Sequence, residues 1–258
     1  MIKILDYGYL KLVEAWGSDQ AIVEAARMST QKGFLGWGTR PDCETCRGTG
    51  KVYDQDEAID CPAGCKSGDE KLLKTLYDNK HATPFEFGGL VIEVQAPIFV
   101  FREWHRHRTQ SYNEMSARYE PLPDFNYIPT VERLMLNARE ASRNKQAGTV
   151  AGAAVLTEEM ARQEQNDLHE EYAFLEQRYQ QALARGVPKE LARIRLPVGR
   201  YSRMRAHANL RNWLAFLTLR MDKNAQWEIR QYANAVGSIV AEKFPRTWEL
   251  FSPRRKKE

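Results

Sequence analysis

Residues 102–119, REWHRHRTQSYNEMSARY, form the most chemically loaded run of the sequence. Arginines, histidines, carboxylates and hydroxyls follow one another there, directly after an apolar stretch. An arginine guanidinium is a planar fork of donors that matches a phosphate or the carbonyl edge of a pyrimidine. A solvated charged loop explains the same residue types equally well. The residue types therefore leave an anion-binding site and a charged loop as open alternatives.

The sequence before this run predicts a strand followed by a short helix. Residues 90–95, LVIEVQ, are apolar and β-branched, which favours a strand that Pro97 ends. Pro97 also suits the first turn of a helix that continues to Trp104 and carries Ile98 and Phe101 on the same face. The charged run is therefore expected to leave the end of a helix whose other side is buried.

Helices predominate in the remainder of the chain. Periodic apolar residues and capping signals predict them within 12–32 (N-cap Ser18 or Asp19), at 71–79, at 157–185 behind the N-cap Thr157, near 188–195 and 205–220, and at 225–243. Because few strands accompany these helices, we predict an α+β protein, organised as a single domain over residues 1–258.

Composition excludes several classes of protein. The chain has 258 residues, of which 43% are hydrophobic and 28% charged, which excludes a disordered or fibrous chain. Its net charge of +4 suits an anionic small molecule and a nucleic acid equally. No apolar run approaches the length of a membrane span, and the first residues lack the features of a secretory signal. We therefore expect a cytoplasmic protein, with the basic tail 254–257 as a solvated end.

One spacing pattern within the charged run resembles a known enzyme family. Arg106-His107-Arg108, then seven residues, then Ser116 is the RHR-x7-S pattern of the flavin-dependent thymidylate synthases, the ThyX family. Six blocks across the chain are similar to that family and stand in its order: AARMS (25–29), HATPFE (81–86), QAPIFVFREW (95–104), SYNEMSARY (111–119), GVPKELARIRLP (186–197) and LRMDKNAQWEIRQYA (219–233). The resemblance implies a helix-rich α+β fold with a small antiparallel sheet.

The resemblance also implies a reaction and an assembly. In this family dUMP receives a one-carbon unit from 5,10-methylenetetrahydrofolate, FAD supplies the hydride, and NADPH re-reduces the flavin. A homotetramer with active sites between subunits is implied as well. The other class of thymidylate synthase attacks uracil with a cysteine thiolate. All four cysteines here are grouped in residues 43–65, so no isolated cysteine remains for that role.

Roles for individual residues follow from the same resemblance. The implied catalytic residues are Arg220, which polarises the pyrimidine, Ser116 and His81. The implied flavin contacts are Ser29, Thr83, Glu86, Arg106, His107, Arg108, Thr109, Asn209 and Arg211. The implied dUMP contacts are Glu103, Arg106, Glu114, Met115, Ser116, Ala117, Arg118, Arg193 and Arg220, with Ser116 and Arg118 on the phosphate. Without the family pattern, Thr83 and Glu86 suit a helix start, and Arg193 and Arg220 suit surface ion pairs.

Three positions depart from the family pattern. Glu103 stands where a glutamine is common, and Ala215 and Asn224 stand where other members carry larger polar or imidazole groups. A carboxylate close to a bound phosphate is unfavourable unless it pairs with an arginine or meets the ribose. The details of the ligand contacts at these positions are therefore open.

Residues 36–68 are predicted to form an insertion, and this segment contains all four cysteines. Cys43-x2-Cys46, fourteen residues, then Cys61-x3-Cys65 is close to zinc-ribbon spacing. Without a secretory signal, disulfides are not expected. We predict a small zinc-ribbon-like insertion in which the four thiols hold one structural Zn²⁺. A contact with another protein or with nucleic acid is the alternative role for this segment.

Two other functions remain open from the sequence. A homologue could transfer the one-carbon unit and let water complete the reaction, which gives 5-hydroxymethyl-dUMP. A protein of another class, a zinc-containing nucleic-acid-binding module, could use Arg106, His107 and Arg108 on phosphates. We take dUMP and folate as the expected partners, and neither a membrane nor a nucleic acid.

Overall fold

The computed structural model describes residues 1–30, 33–37, 43–46, 51–54, 57–63, 68–136 and 153–255. The chain divides into two compact units. The first unit comprises residues 1–13, 91–207 and 216–236, and the second comprises residues 14–90, 208–215 and 237–258. The predicted single domain over 1–258, with its insertion at 36–68, stays a prediction. The predicted solvated tail concerns side chains outside the described part of the chain.

Helices make up most of the secondary structure. The strands are β1 (Ile2–Ile4), β2 (Gly8–Trp16), β3 (Lys51–Asp54), β4 (Glu57–Asp60), β5 (Gly89–Pro97), β6 (Ser111–Glu114) and β7 (Tyr201–Asn209). The helices are α1 (Asp19–Arg27), α2 (Asp69–Asp78), α3 (Ile98–Trp104), α4 (Val131–Met135), α5 (Glu158–Ala184), α6 (Lys189–Ala192), α7 (Leu210–Arg220), α8 (Trp227–Lys243) and α9 (Pro245–Arg255). Within the described residues, no helix has the length and apolarity to cross a membrane.

Five strands form one sheet in the order β1-β2-β5-β7-β6, and β3 pairs with β4 in a separate hairpin. β1 is antiparallel to β2, β3 to β4, and β6 to β7. In the last pair Ser111 lies opposite His207, and Glu114 lies opposite Met204. The predicted α+β class with a small antiparallel sheet is confirmed.

Strand β7 corrects the helix that the sequence predicted at 205–220. Ser202, Met204 and Ala206 are buried and alternate with exposed residues, which is the period-two pattern of a strand with one buried face. The helical part begins only at Leu210, with α7. In the same way, residues 12–16 of the segment predicted to carry the first helix belong to β2, and α1 begins at Asp19.

The other predicted helices agree with the structure. Ser18 caps α1 by accepting a hydrogen bond from the backbone N of Ala21 at 3.1 Å. Thr157 caps α5 by accepting from the backbone N of Met160 at 3.2 Å. Each of these caps satisfies a backbone N–H that has no partner within its own helix. Helices α4 and α9, strand β2 and the short strands β1, β3, β4 and β6 were not predicted.

An aromatic core in the first unit fixes the helix that precedes the charged run. Trp104 is fully buried and stacks on Phe216 with ring centroids 4.7 Å apart. Tyr232 meets Trp104 in a T-shaped arrangement, and the Tyr232 hydroxyl donates to the backbone O of Gln95 at 2.8 Å. Aromatic pairs of this geometry add to the free energy gained from burying the rings. They hold the end of α3 against residues of α7 and α8.

Buried Asp19 organises the second unit. Its carboxylate accepts hydrogen bonds from the backbone N of Arg246 and from both the backbone N and the hydroxyl of Thr247, at 2.8, 3.1 and 2.6 Å. These groups lie in the first turn of α9, where a carboxylate meets the positive end of the helix. Helix α2 packs on both α1 and α9.

Candidate active site

Helix α3 has one buried apolar face and one polar face. Pro97 precedes it, and Val100, Phe101 and Trp104 are buried. The backbone N of Ile98 donates to the O of Arg200 at 3.0 Å, which ties the start of the helix to the residue before β7. Residues 102 and 103 lie outside the apolar core.

Arg220, the last residue of α7, is held by three hydrogen bonds. Its Nη1 donates to Glu103 Oε2 at 2.7 Å, its Nη2 to the backbone O of Glu103 at 2.8 Å, and its Nε to His107 Nε2 at 2.8 Å. The Arg220 side chain is 16% exposed. A guanidinium carries more N–H groups than these three bonds use, since each Nη has a second hydrogen. The fork is therefore fixed in place with donors still available to a ligand.

His107 is a neutral acceptor in this arrangement. Burial, together with the Arg220 cation, lowers the pKa of His107 to about 4, while the Glu103 carboxylate opposes the shift. Because the imidazole is neutral near pH 7, its Nε2 lone pair accepts from Arg220, and this assigns the ring proton to Nδ1. The ring also lies edge-on to Phe216, with centroids 4.8 Å apart. His107 therefore orients Arg220; its predicted contact with flavin stays a prediction.

The loop after α3 leads into strand β6 of the sheet, and hydrogen bonds that involve backbone groups hold it in place. The Tyr112 hydroxyl donates to the backbone O of His107 at 2.7 Å. The backbone N of Met115 donates to the O of Arg203 on β7 at 2.7 Å. At the end of the loop the backbone N of Arg118 donates to Ser116 Oγ at 3.3 Å. These contacts set the path of the loop that carries the predicted nucleotide contacts.

A cavity of about 230 Å³ lies beside α3 in the first unit. Four of the predicted dUMP contacts line it, namely Glu114, Met115, Ala117 and Arg193. Arg102 and Ser202 line it too, and sequence reasoning missed both as site residues. Two sequence features could have identified them: Arg102 begins the charged run, and Ser202 is a polar residue in the otherwise apolar buried row of β7. The cavity therefore joins predicted and unpredicted polar groups.

Ser116 and Arg118, the predicted phosphate ligands, are not among the residues that line this cavity. Arg118 Nε instead pairs with Glu190 Oε2 at 3.2 Å, and both side chains are more than half exposed. An exposed pair of this kind contributes little to stability. It leaves the Arg118 side chain at the surface, where an anionic ligand can compete with Glu190.

The predicted ligand residues in the second unit are Ser29, His81, Thr83, Glu86, Asn209 and Arg211. Arg211 Nη1 pairs with Glu86 Oε1 at 2.6 Å, which joins two of them. Asn209 Oδ1 accepts from the backbone N of Asn212 at 3.0 Å at the start of α7. Ser29 Oγ donates to the backbone O of Ala26 at 3.0 Å. Thr83–Glu86 form a 3-10 turn.

The arginines that flank His107 have the chemistry that an anionic cofactor requires. Arg106 and Arg108 are both exposed, and neither has an ion-pair partner among the described residues. A flavin dinucleotide carries a diphosphate, which needs cations and hydroxyls nearby. Thr109 supplies a hydroxyl next to Arg108. The residues of this segment therefore fit a flavin dinucleotide.

Three cysteines of the predicted insertion form a cluster. The sulfur atoms of Cys43, Cys46 and Cys61 lie within 4.8 Å of one another, and Cys46 and Cys61 are buried. Cys43 Sγ and Cys61 Sγ are 3.8 Å apart. This is too long for a disulfide, and it matches the edge of about 3.8 Å that a tetrahedron with Zn–S bonds of about 2.3 Å has. Cys65, the predicted fourth ligand, lies outside the described residues.

Comparisons with known proteins point in one direction. A family model described as "Thymidylate synthase complementing protein" matches residues 11–246. A flavin-dependent thymidylate synthase of Thermus thermophilus is 37% identical over 253 residues, covering 97% of this chain and 77% of that protein. The enzyme of the same name from Thermotoga neapolitana is 34% identical over 250 residues, covering 97% of this chain and 93% of that protein.

The structural comparison agrees with the sequence comparison. The UMP/dUMP methylase PolB from Streptomyces cacaoi, solved with 5-Br UMP, superposes with a TM-score of 0.72. It is 28% identical in sequence, and the match covers 97% of this chain and 96% of that one.

Proposed function

The chain belongs to the flavin-dependent thymidylate synthase family, and from this premise we propose that it is the methyltransferase that converts dUMP to dTMP. The carbon donor is 5,10-methylenetetrahydrofolate, and no cysteine nucleophile takes part. FAD, reduced by NADPH, supplies the hydride when it is bound. The dUMP methylase among the structural neighbours supports this class of nucleotide.

The observation that carries the proposal is the fixed guanidinium of Arg220. Glu103 and His107 hold it from two sides, so its free donors are oriented before a substrate arrives. A pyrimidine becomes nucleophilic at C5 when negative charge on its N3 and carbonyl edge is stabilised. Preorganised donors directed at developing charge provide that stabilisation without reorganising during the reaction. Arg220 is accordingly the electrophilic residue that favours loss of the N3 proton.

We assign the nucleotide to the first unit. Glu114, Met115, Ala117 and Arg193 line the cavity beside α3. Ser116, Arg118, Arg106 and Arg220 are the other dUMP ligands that we propose. The guanidinium of Arg106 serves both the nucleotide and the flavin. Glu103 acts through Arg220, whose charge it partly neutralises.

The flavin ligands that we propose are Arg106, His107, Arg108, Thr109, Ser29, Thr83, Glu86, Asn209 and Arg211. His81, which is exposed, is proposed to position folate or flavin near the reacting atoms. A homotetramer with active sites between subunits and a cytoplasmic location complete the proposal.

We also propose that the cysteine cluster holds one structural Zn²⁺. The supporting observation is the convergence of the neighbouring thiols of Cys43 and Cys46 with the thiol of Cys61, which lies further along the chain; Cys46 and Cys61 are buried. Cys65 supplies the fourth thiolate in this proposal. A four-thiolate tetrahedral site has no open position for a substrate, so the metal stabilises the segment and takes no part in the reaction.

Reconstitution with FAD tests the proposed function. The purified protein is expected to bind FAD and to oxidise NADPH faster when dUMP is present. Failure to bind FAD after reconstitution contradicts the proposal, and it leaves the nucleic-acid-binding alternative standing.

A further inference from the structure

We propose that Asp69 is a positioning residue for the flavin, and that it acts through Arg27. Asp69 fixes the end of helix α1, which leads into Ser29, and it separates that end from the cysteine-bearing segment 37–68. The inference rests on the proposed function, because Ser29 is a flavin ligand in that proposal. It adds a residue that touches neither flavin nor substrate and holds a residue that does.

The Asp69 carboxylate holds Arg27 from a fully buried position. The side chain of Asp69 is 0% exposed and that of Arg27 is 14% exposed. Asp69 Oδ1 accepts hydrogen bonds from both Nε and Nη2 of Arg27, the first at 2.8 Å. Separating a buried ion pair is costly, because it leaves a buried charge uncompensated. The last residue of α1 is therefore fixed to the first residue of α2.

The turn that carries Ser29 begins directly after Arg27. Residues Met28–Thr30 form a 3-10 turn. The Thr30 hydroxyl donates to the backbone O of Arg27 at 3.0 Å, and Ser29 Oγ donates to the backbone O of Ala26 at 3.0 Å. Both hydroxyl groups are thus bonded to the last turn of α1. Because Ser29 moves with that turn, the contact between Asp69 and Arg27 sets the position of the Ser29 hydroxyl.

Helix α1 also contacts a turn that carries two further proposed flavin ligands. It packs against Thr83–Glu86 as well as against α2. Glu86 Oε1 in turn accepts from Arg211 Nη1 at 2.6 Å, which joins a third proposed ligand to this group. Because one helix contacts both α2 and the turn, its attachment to Asp69 sets the spacing between Ser29 and Thr83–Glu86.

A second set of hydrogen bonds closes the base of the cysteine-bearing segment. Asp69 Oδ2 accepts from the backbone N of Leu35 and of Gly36 at 2.7 and 3.1 Å. The backbone N of Asp69 donates to the O of Gly36 at 2.9 Å. Gly36 has a φ of 108°, a conformation that favours glycine. These bonds join the residue where the chain leaves for segment 37–68 to the residue where it returns.

The contacts at this base are separate from those of the cysteine cluster. The Arg246 guanidinium, on α9, lies over the Trp37 ring at 4.3 Å from its centroid, which holds the start of the segment. Buried Cys46 and Cys61 pack instead with Val52, which belongs to the segment itself. Loss of a metal from the cluster is therefore expected to disturb the segment and to leave the contact between Asp69 and Arg27 intact.

Titration of flavin-free enzyme with FAD, followed by the change in flavin fluorescence, tests the inference. Asp69→Asn and Arg27→Gln are each expected to weaken FAD binding roughly threefold to thirtyfold, the range for residues that couple to a site without touching its ligand. The double variant is expected to bind FAD no more weakly than the weaker single variant, because both changes remove the same contact. Arg27→Lys, which keeps the cation, is expected to regain part of the affinity lost in Arg27→Gln.

Asp19→Asn is the control that separates positioning from stability. Asp19 is also buried and also belongs to α1, but its carboxylate accepts from Arg246 and Thr247 at the start of α9. This variant is expected to unfold at a lower temperature than the wild type and to bind FAD with wild-type affinity. Thermal unfolding of all variants, followed by circular dichroism, measures their stability alongside the affinity.

Four outcomes count against the account. Wild-type affinity for FAD in both Asp69→Asn and Arg27→Gln overturns the inference, and Arg27→Gln alone decides if Asp69→Asn does not fold. An equal loss of affinity in Asp19→Asn overturns it as well, because FAD binding then follows stability alone. Weakened FAD binding in the double variant Cys43→Ser, Cys46→Ser overturns the separation from the cysteine cluster. A wild-type enzyme that does not bind FAD overturns the proposed function instead.

Discussion

Arg220 Nε donates to His107 Nε2 across 2.8 Å, although the two residues are 113 positions apart in the chain. The imidazole can accept this bond only while it is neutral, and burial beside the cation keeps it so. The middle residue of the Arg-His-Arg segment therefore orients the guanidinium that we assign to the pyrimidine, while the outer arginines remain available to anions.

Replacing Arg220 tests its catalytic role. Arg220→Gln is expected to lower kcat by about 10²-fold or more, the scale for losing one preorganised donor to developing charge. Bound FAD is expected to remain, since Arg220 is not among the proposed flavin ligands. Arg230→Gln serves as the matched control, because Arg230 donates to the backbone O of Lys223 and has no assigned role. Normal turnover in Arg220→Gln contradicts the assignment.

The low pKa of His107 predicts a pH-dependent stability. The unfolded chain binds a proton at this residue near pH 6.5, whereas the folded protein resists protonation until about pH 4. Since the unfolded state binds more protons in this interval, the contribution of His107 to the free energy of unfolding is fully present above pH 6.5. This contribution is lost as the pH falls toward 4. His107→Gln is expected to flatten this part of the profile of unfolding free energy against pH. An unchanged profile contradicts the depressed pKa.

Helices α1 and α5 could be predicted because their N-caps, Ser18 and Thr157, are visible in the sequence, whereas α4 and α9 were not predicted. Strand β7 was missed since its buried row is built from Ser202, Met204 and Ala206, residues with low strand propensity, although their alternation was visible. The contact between Arg220 and His107 could not be predicted from spacing, because it depends on how α7 packs near α3. The cavity beside α3 could not be predicted from the sequence either, because its lining residues come together only in the tertiary structure.

Asp69 joins the two ends of the predicted insertion. It is fully buried and accepts from Arg27 Nε at 2.8 Å and from the backbone N of Leu35 and of Gly36 at 2.7 and 3.1 Å. Asp69→Ala is expected to lower the free energy of unfolding by about 3–5 kcal/mol, because Arg27 and two backbone donors lose their partner.

The control for this change is Asp78→Ala on the same helix. Asp78 pairs with Lys74 at the surface, so its replacement is expected to cost less than about 1 kcal/mol. Chemical denaturation of both variants measures the difference. Equal losses in the two variants contradict the role assigned to Asp69.

Removing two thiols tests the zinc site. The double variant Cys43→Ser, Cys46→Ser is expected to contain no zinc and to become protease-sensitive between Arg40 and Lys71, while FAD stays bound. The wild type, purified without chelators, is expected to hold one zinc per chain by elemental analysis. Metal near zero in that wild-type protein removes the zinc proposal. Loss of flavin from the double variant shows instead that the segment supports the active site.

The mass of the nucleotide product tests the central claim most directly. Enzyme loaded with FAD is incubated with dUMP, 5,10-methylenetetrahydrofolate and NADPH, and the nucleotides are separated and weighed by mass spectrometry. The account predicts dTMP, formed in step with NADPH oxidation and lost in Arg220→Gln. Formation of 5-hydroxymethyl-dUMP, or recovery of dUMP unchanged from an enzyme that has bound both FAD and dUMP, contradicts it.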